Sequence, residues 1–145
     1  MRYIRLTAVL LLAACGSDSP TAPANRLGEQ RALWAAQGLT DYTFDVKKVC
    51  YCQFVGDVRV TVKDGVITGV TELASEVAHD PELFRTIDGL FDLVQDAYDQ
   101  SAHEVQVDFD PGRGYPTRIW IDYVEMMADE EMGFTLLSDV TALES

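Results

Sequence analysis

The chain has 145 residues, with 24 Asp and Glu against 11 Lys and Arg, a formal charge of −13 at pH 7. A surface of that sign repels phosphate backbones and anionic head groups, which excludes nucleic-acid binding. Hydrophobic content of 48%, including six Tyr and six Phe, excludes a disordered chain and fits one domain with one core.

The first fourteen residues read as an export signal. Basic Met1-Arg2-Tyr3-Ile4-Arg5 is followed by an apolar run, Leu6 to Ala14, too short for the roughly 20 residues a spanning helix needs. Leu12-Ala13-Ala14-Cys15 resembles the bacterial lipoprotein cleavage box, in which the cysteine is acylated and becomes the first residue of the mature chain. Cys15 is therefore the expected lipidation site, and residues 15–24, rich in Ser, Pro, Thr and Ala, the flexible tether. Several acyl chains, each CH₂ worth about 0.8 kcal/mol when buried, hold a protein on its membrane. Ser17 after Gly16, in place of Asp, favours the outer membrane by the same likeness. The expected location is the bacterial cell envelope, lipid-anchored and facing the periplasm. Loss of Arg2 and Arg5 with the signal leaves 9 basic residues against 24 acidic ones, a formal −15.

Residues 25–145 read as one α+β domain. A helix is expected over 25–37, with Asn25 as N-cap, Leu27, Leu33 and Trp34 as its apolar stripe, Gly38 as a left-handed stop and Leu39 packing back. Residues 42–49 alternate as a strand, Tyr42, Phe44 and Val46 on one face and Thr43, Asp45 and Lys47 on the other. Cys50 and Cys52 continue the even-numbered face. Residues 57–73 form the strongest hairpin pattern, turning at Asp64-Gly65. A two-residue turn pairs Val62 with Ile67; a three-residue loop pairs Val62 with Val66 and groups Val70 with Val58. The second puts more valines on one face and is the expected register.

Residues 75–85 are polar and irregular, with Asp80-Pro81-Glu82 able to open one helical turn. The main helix, 86–99, carries Ile87, Leu90, Phe91, Val94, Ala97 and Tyr98 on one face and four aspartates on the other. Residues 104–110 alternate Val105, Val107 and Phe109 inward, the turn runs from Asp110 to Pro116, and the return strand 117–123 places Ile119, Ile121 and Tyr123 opposite Trp120. An acidic linker, 125–131, precedes a last strand at 133–140. The order predicts an antiparallel sheet of about six strands with two helices packed on one face, in two αβββ halves.

The chemistry-bearing residues are few. In an extended strand, Cα atoms two residues apart lie about 6.5 to 7 Å from each other, at or beyond the limit for a disulfide, so a Cys50–Cys52 bridge requires a bend at Tyr51. Three readings follow, in order: a structural bridge or two buried thiols, a soft-metal site for Cu(I) or zinc, and a redox pair. His79 and His103 show no ligand spacing to the cysteines, and no cofactor is expected unless a metal ion sits at Cys50 and Cys52. A calcium loop starting at Asp108 fails, because Ile119 stands where its final Glu is needed. No catalytic motif appears, so the chain reads as a non-enzyme. Arg113, Tyr115 and Trp120 around the Gly/Pro-rich turn are candidate anchors for a protein partner, weighed evenly against a role covering core edges. The functional reading is a lipid-anchored, non-catalytic binding or interaction module that meets an envelope protein through the surface around the second hairpin and the acidic segment; the alternative is a metal-handling or redox lipoprotein using Cys50 and Cys52.

Trp34, Asp41-Tyr42-Thr43-Phe44, Cys50-Tyr51-Cys52, Val58 to Val70, Thr86-Ile87-Asp88-Gly89-Leu90-Phe91 and Asp110 to Pro116 together resemble a family of uncharacterised bacterial secreted and lipoprotein domains of unknown function. The likeness covers residues 30–140 and implies domain boundaries without an activity. The element order is also similar to small periplasmic modules of the PepSY and β-lactamase-inhibitor kind, which implies binding or inhibition of proteins.

Overall fold

The computed structural model describes residues 22–52, 56–127 and 129–144. The signal, Cys15 and most of the tether lie outside them. Helix α1 (Ala22–Ala35) leads into β1 (Tyr42–Cys50), β2 (Asp57–Lys63) and β3 (Val66–Glu72); a single 3-10 turn at Pro81–Leu83 precedes α2 (Ile87–Asp99), β4 (Glu104–Phe109), β5 (Pro116–Asp122), β6 (Met132–Leu136) and a short β7 (Thr141–Ala142). The described strands form one antiparallel sheet in the order β3-β2-β1-β6-β5-β4, with β7 paired to β1 beyond the end of β6. This is the expected α+β architecture. The two αβββ sets meet through the first strand of one and the last strand of the other, so their shared element order does not give them equivalent places in the sheet.

Strand alternation positions the core. Phe44 lies opposite Val60, Ile119 opposite Phe134, and Ile121 opposite Met132, so one face of the sheet is apolar from β2 to β5. Both helices pack there, α2 burying Ile87, Leu90, Phe91, Leu93, Val94 and Ala97, while α1 buries Leu27 and Trp34. The other face is polar: Arg59 grips Asp45, its neighbour across the ladder, through two bonds of 2.7 and 2.9 Å. On that face Trp120 lies over Gly133, where a Cβ would come within 3.0 Å of the indole.

Several local readings are corrected. Helix α1 starts at Ala22, so residues 22–24 belong to a helix and not to the tether, and Asn25 is interior. Pro23 does not oppose this, because the first turn of a helix has no use for the N–H that proline lacks. Leu33 is exposed rather than part of the buried stripe. Gly38 does stop the helix region in the left-handed conformation, at φ +63°.

The hairpin is corrected too. Its turn has two residues, Asp64 at φ +50° and Gly65 at φ +74°, and pairs Val62 with Ile67. The register then shifts between Thr61 and Val62, leaving Thr68 as an extra residue, so that Val60 faces Val70. A one-residue slip turns a strand over, and here a bulge makes that slip inside the strand. Val70 reaches the core without the longer loop. The last expected strand, 133–140, is likewise interrupted: it leaves the sheet after Leu136, where Leu137 N–H donates to Asp45 O at 2.8 Å, and re-enters as β7.

Tyr42 ties β1 to α2. Thr86 caps the helix by accepting from Gly89 N–H at 3.0 Å, and the Ile87 N–H, which no helix carbonyl can satisfy, donates to the buried Tyr42 hydroxyl at 3.1 Å. Burial, reinforced by nearby Asp88, pushes the Tyr42 phenol from its usual 10.0 up to about 12, even though the Ile87 bond pulls the other way. Below pH 10 both folded and unfolded chains keep this proton; between pH 10 and 12 only the folded chain does, so stability falls as pH rises. Urea titrations at pH 9 and pH 12 should show a loss of about 2 kcal/mol from this group, and Tyr42→Phe should flatten that slope.

Candidate functional site

The ladder registers bring six strand ends together. Cys50 pairs with Met132 and Met132 with Ile121, Lys47 pairs with Asp57, and Val58 pairs with Glu72. The ends of β1, β3 and β5 and the starts of β2, β4 and β6 therefore share one end of the sheet. Here β1 stops and the chain bends at residues 51 and 52. The bend brings the Cys50 and Cys52 Cα atoms to 5.3 Å, and the two sulfurs are bonded. The geometric condition drawn from the sequence, a break in extension at Tyr51, is met.

This end exposes apolar surface. Tyr51 is 83% exposed and Met126 89%, and Val49, Leu73, Val124 and Met127 are exposed as well. Beside them an open cleft of about 710 Å³ runs between the last residues of β1 and the segment from Glu72 to Ala74. Its charges balance locally, Lys47 and Lys48 against Asp57 and Glu72. Lys48 Nζ donates to the Leu83 carbonyl at 3.0 Å and lies 5.8 Å from the Phe84 ring centroid. Burial, with Arg85 nearby, lowers the Lys48 pKa. Glu125, Asp129, Glu130 and Glu131 follow in the loop between β5 and β6, giving the apolar end an acidic neighbour.

Sequence reasoning found the cysteines and the acidic segment and missed the exposed apolar side chains of this surface. Val49 reads as an ordinary strand residue, and Met126 and Met127 sit inside a segment whose carboxylates dominate its composition. The available signal was two adjacent methionines in an otherwise acidic linker.

The candidate anchors at the second hairpin go elsewhere. Tyr115 is 1% exposed and meets Trp34 edge to face, with ring centroids 6.0 Å apart. Its hydroxyl accepts from Arg113 Nη2 at 3.1 Å and donates to Asp139 Oδ1 at 3.2 Å. Burial raises its pKa while Arg113 opposes that rise. Arg113 is half-buried, stacked 4.9 Å from the Tyr115 centroid and donating to the Val140 carbonyl at 2.6 Å. Together they fasten the hairpin to the C-terminal segment. Trp120 occupies the opposite face of the sheet, so the three residues do not form one recognition surface.

As bridged, Cys50 and Cys52 present no thiolate to a soft metal. Among the described residues no group of three His, Cys, Asp or Glu is arranged to hold a metal ion. His79 Nε2 stands 3.9 Å from Glu72 Oε2, and His103 N–H donates to Tyr123 O at 3.3 Å.

Residues 26–142 match the model of a family described as Family of unknown function (DUF6174). No curated protein matches the chain.

Proposed function

Taking as premise that the chain belongs to the DUF6174 family, we propose that it is an exported, lipid-anchored envelope domain that binds a protein partner through the disulfide end of its sheet. The observation that carries this reading is the exposure of Tyr51 and Met126, with Val49, Leu73 and Met127, at one end of a chain otherwise strongly acidic. Large apolar side chains exposed along one end of a sheet on a charged protein are candidates for a contact site, and aromatic residues and methionine are enriched in such contacts. The acidic loop beside them favours a partner with a basic rim, which would speed encounter more than tighten binding. Anchoring is supported by Leu12-Ala13-Ala14-Cys15 and the short apolar run before it.

Two measurements test the two halves of the reading. The chain recovered from envelopes should begin at Cys15 with its acyl chains attached, and Cys15→Ala should leave it unprocessed; a chain that starts elsewhere and carries no lipid defeats the anchor. Chemical crosslinking in intact envelopes should give a discrete adduct that falls at least tenfold in a Met126→Asp, Met127→Asp variant with unaltered melting. An adduct that survives this change moves the contact off this end of the sheet.

A further inference from the structure

The Cys50–Cys52 bridge joins residues only two apart. A loop that short withdraws little conformational entropy from the unfolded chain when it is closed, so the bond is a poor staple. The packing does not depend on it either: neither cysteine belongs to the core cluster, and Cys50 forms the last pair of the β1–β6 ladder. Cys52 and Tyr51 are exposed and Cys50 is half-exposed. The bridge also sits among the exposed apolar side chains of the end proposed to receive a partner. A bond that adds little stability, open to solvent and placed at a contact surface is suited to being broken and remade.

We propose that the Cys50–Cys52 disulfide is a reducible acceptor in thiol–disulfide exchange with a protein dithiol. A thiolate of the incoming protein attacks Sγ of Cys52, which belongs to the more exposed of the two residues. A mixed disulfide forms, the Cys50–Cys52 bond breaks, and Cys50 leaves with the electron pair and takes a proton. The second thiolate of the incoming protein then attacks its own sulfur in the mixed disulfide and releases Cys52, which is protonated in turn. Two electrons and two protons have passed: the incoming dithiol is oxidised to a disulfide, and Cys50 and Cys52 are reduced to thiols. The proposal rests on the binding reading only for how the dithiol is brought there; the bond's chemistry is tested without any partner.

The test uses the mature acylated chain in detergent, equilibrated under native conditions in glutathione buffers from fully oxidised to fully reduced and labelled with a mass-shifting maleimide. Two labels per chain should appear at intermediate ratios, disappear on returning to oxidised glutathione, and leave the melting temperature within about 3 °C of the bridged form. No labelling until the domain is melted, or a fall in melting temperature above 10 °C on reduction, overturns the proposal by making the bond a staple. In single variants, oxidised glutathione should modify Cys52 of Cys50→Ser at least tenfold faster than Cys50 of Cys52→Ser; equal or inverted rates overturn the assignment of Cys52 as the attacked sulfur. The glutathione titration needs no partner and the crosslinked adduct needs no reducible bond, so failure of the binding reading and failure of the redox proposal are separately visible.

Discussion

Gly114→Ala should destabilise the domain by about 3 kcal/mol or more, a large part of the 5 to 15 kcal/mol that keeps a domain of this size folded. Two costs combine at this position. Gly114 has φ +80°, a conformation that disfavours any side chain by about 1 kcal/mol or more. The added Cβ would also stand 2.4 Å from the Gln30 carbonyl oxygen and 2.8 Å from Leu33 Cβ. The first of these is helix backbone, which cannot rotate out of the way. Helix α1 would have to lift from the β4–β5 turn, opening the Trp34 contact with Tyr115. Urea denaturation followed by tryptophan fluorescence would measure the loss; a change below about 1 kcal/mol would mean that α1 is not seated on this turn.

Trp34→Ala is the second large effect, at about 3 to 5 kcal/mol. The indole is 3% exposed and meets Tyr42 edge-on at 5.4 Å and Tyr115 at 6.0 Å. It meets both the start of β1 and the second hairpin, so its removal leaves a cavity bordered by two tyrosines that cannot collapse independently. A fall in melting temperature on the order of 15 °C is expected for a domain of this length. Trp34→Phe should lose less, because a ring remains between the tyrosines. If both variants melt alike, the site relaxes freely and the aromatic trio is not what joins helix to sheet.

These two positions show how far local pattern reaches. The α2 face was legible because Ile87, Leu90, Phe91, Val94 and Ala97 repeat with the helical period, and the strands because Val58, Val60 and Val62 alternate. Each pattern is written within one element. The fate of Tyr115 is not, since its burial is decided by Trp34, far earlier in the chain, and the Gly/Pro-rich turn around it looks the same whether its tyrosine points in or out. The hairpin register was misread for a related reason: the bulge at Thr68 adds one residue without any turn signal, and counting valines from the turn assumed an unbroken ladder. At the candidate site, simple bond geometry identified the bend required between Cys50 and Cys52. The exposed Val49, Met126 and Met127 share one end of the sheet only through strand order, which pairs β1 with β6 and so carries the loop before β6 to the cysteine end.

That strand order also governs how the chain can be assembled. The centre of the sheet is the β1–β6 ladder, where Val46 meets Leu136 and Cys50 meets Met132. A nascent chain can close β1, β2 and β3 early through near neighbours, yet one side of β1 keeps its N–H and C=O groups unpaired until the final tenth of the sequence arrives. Long-range closure of this kind slows folding, and a bare central strand is an invitation to pair with a neighbouring copy in the interval. Truncation just before Met132 would therefore leave the core strand of the finished fold as a permanent open edge, and the shortened product should accumulate as aggregates rather than as a smaller, looser domain.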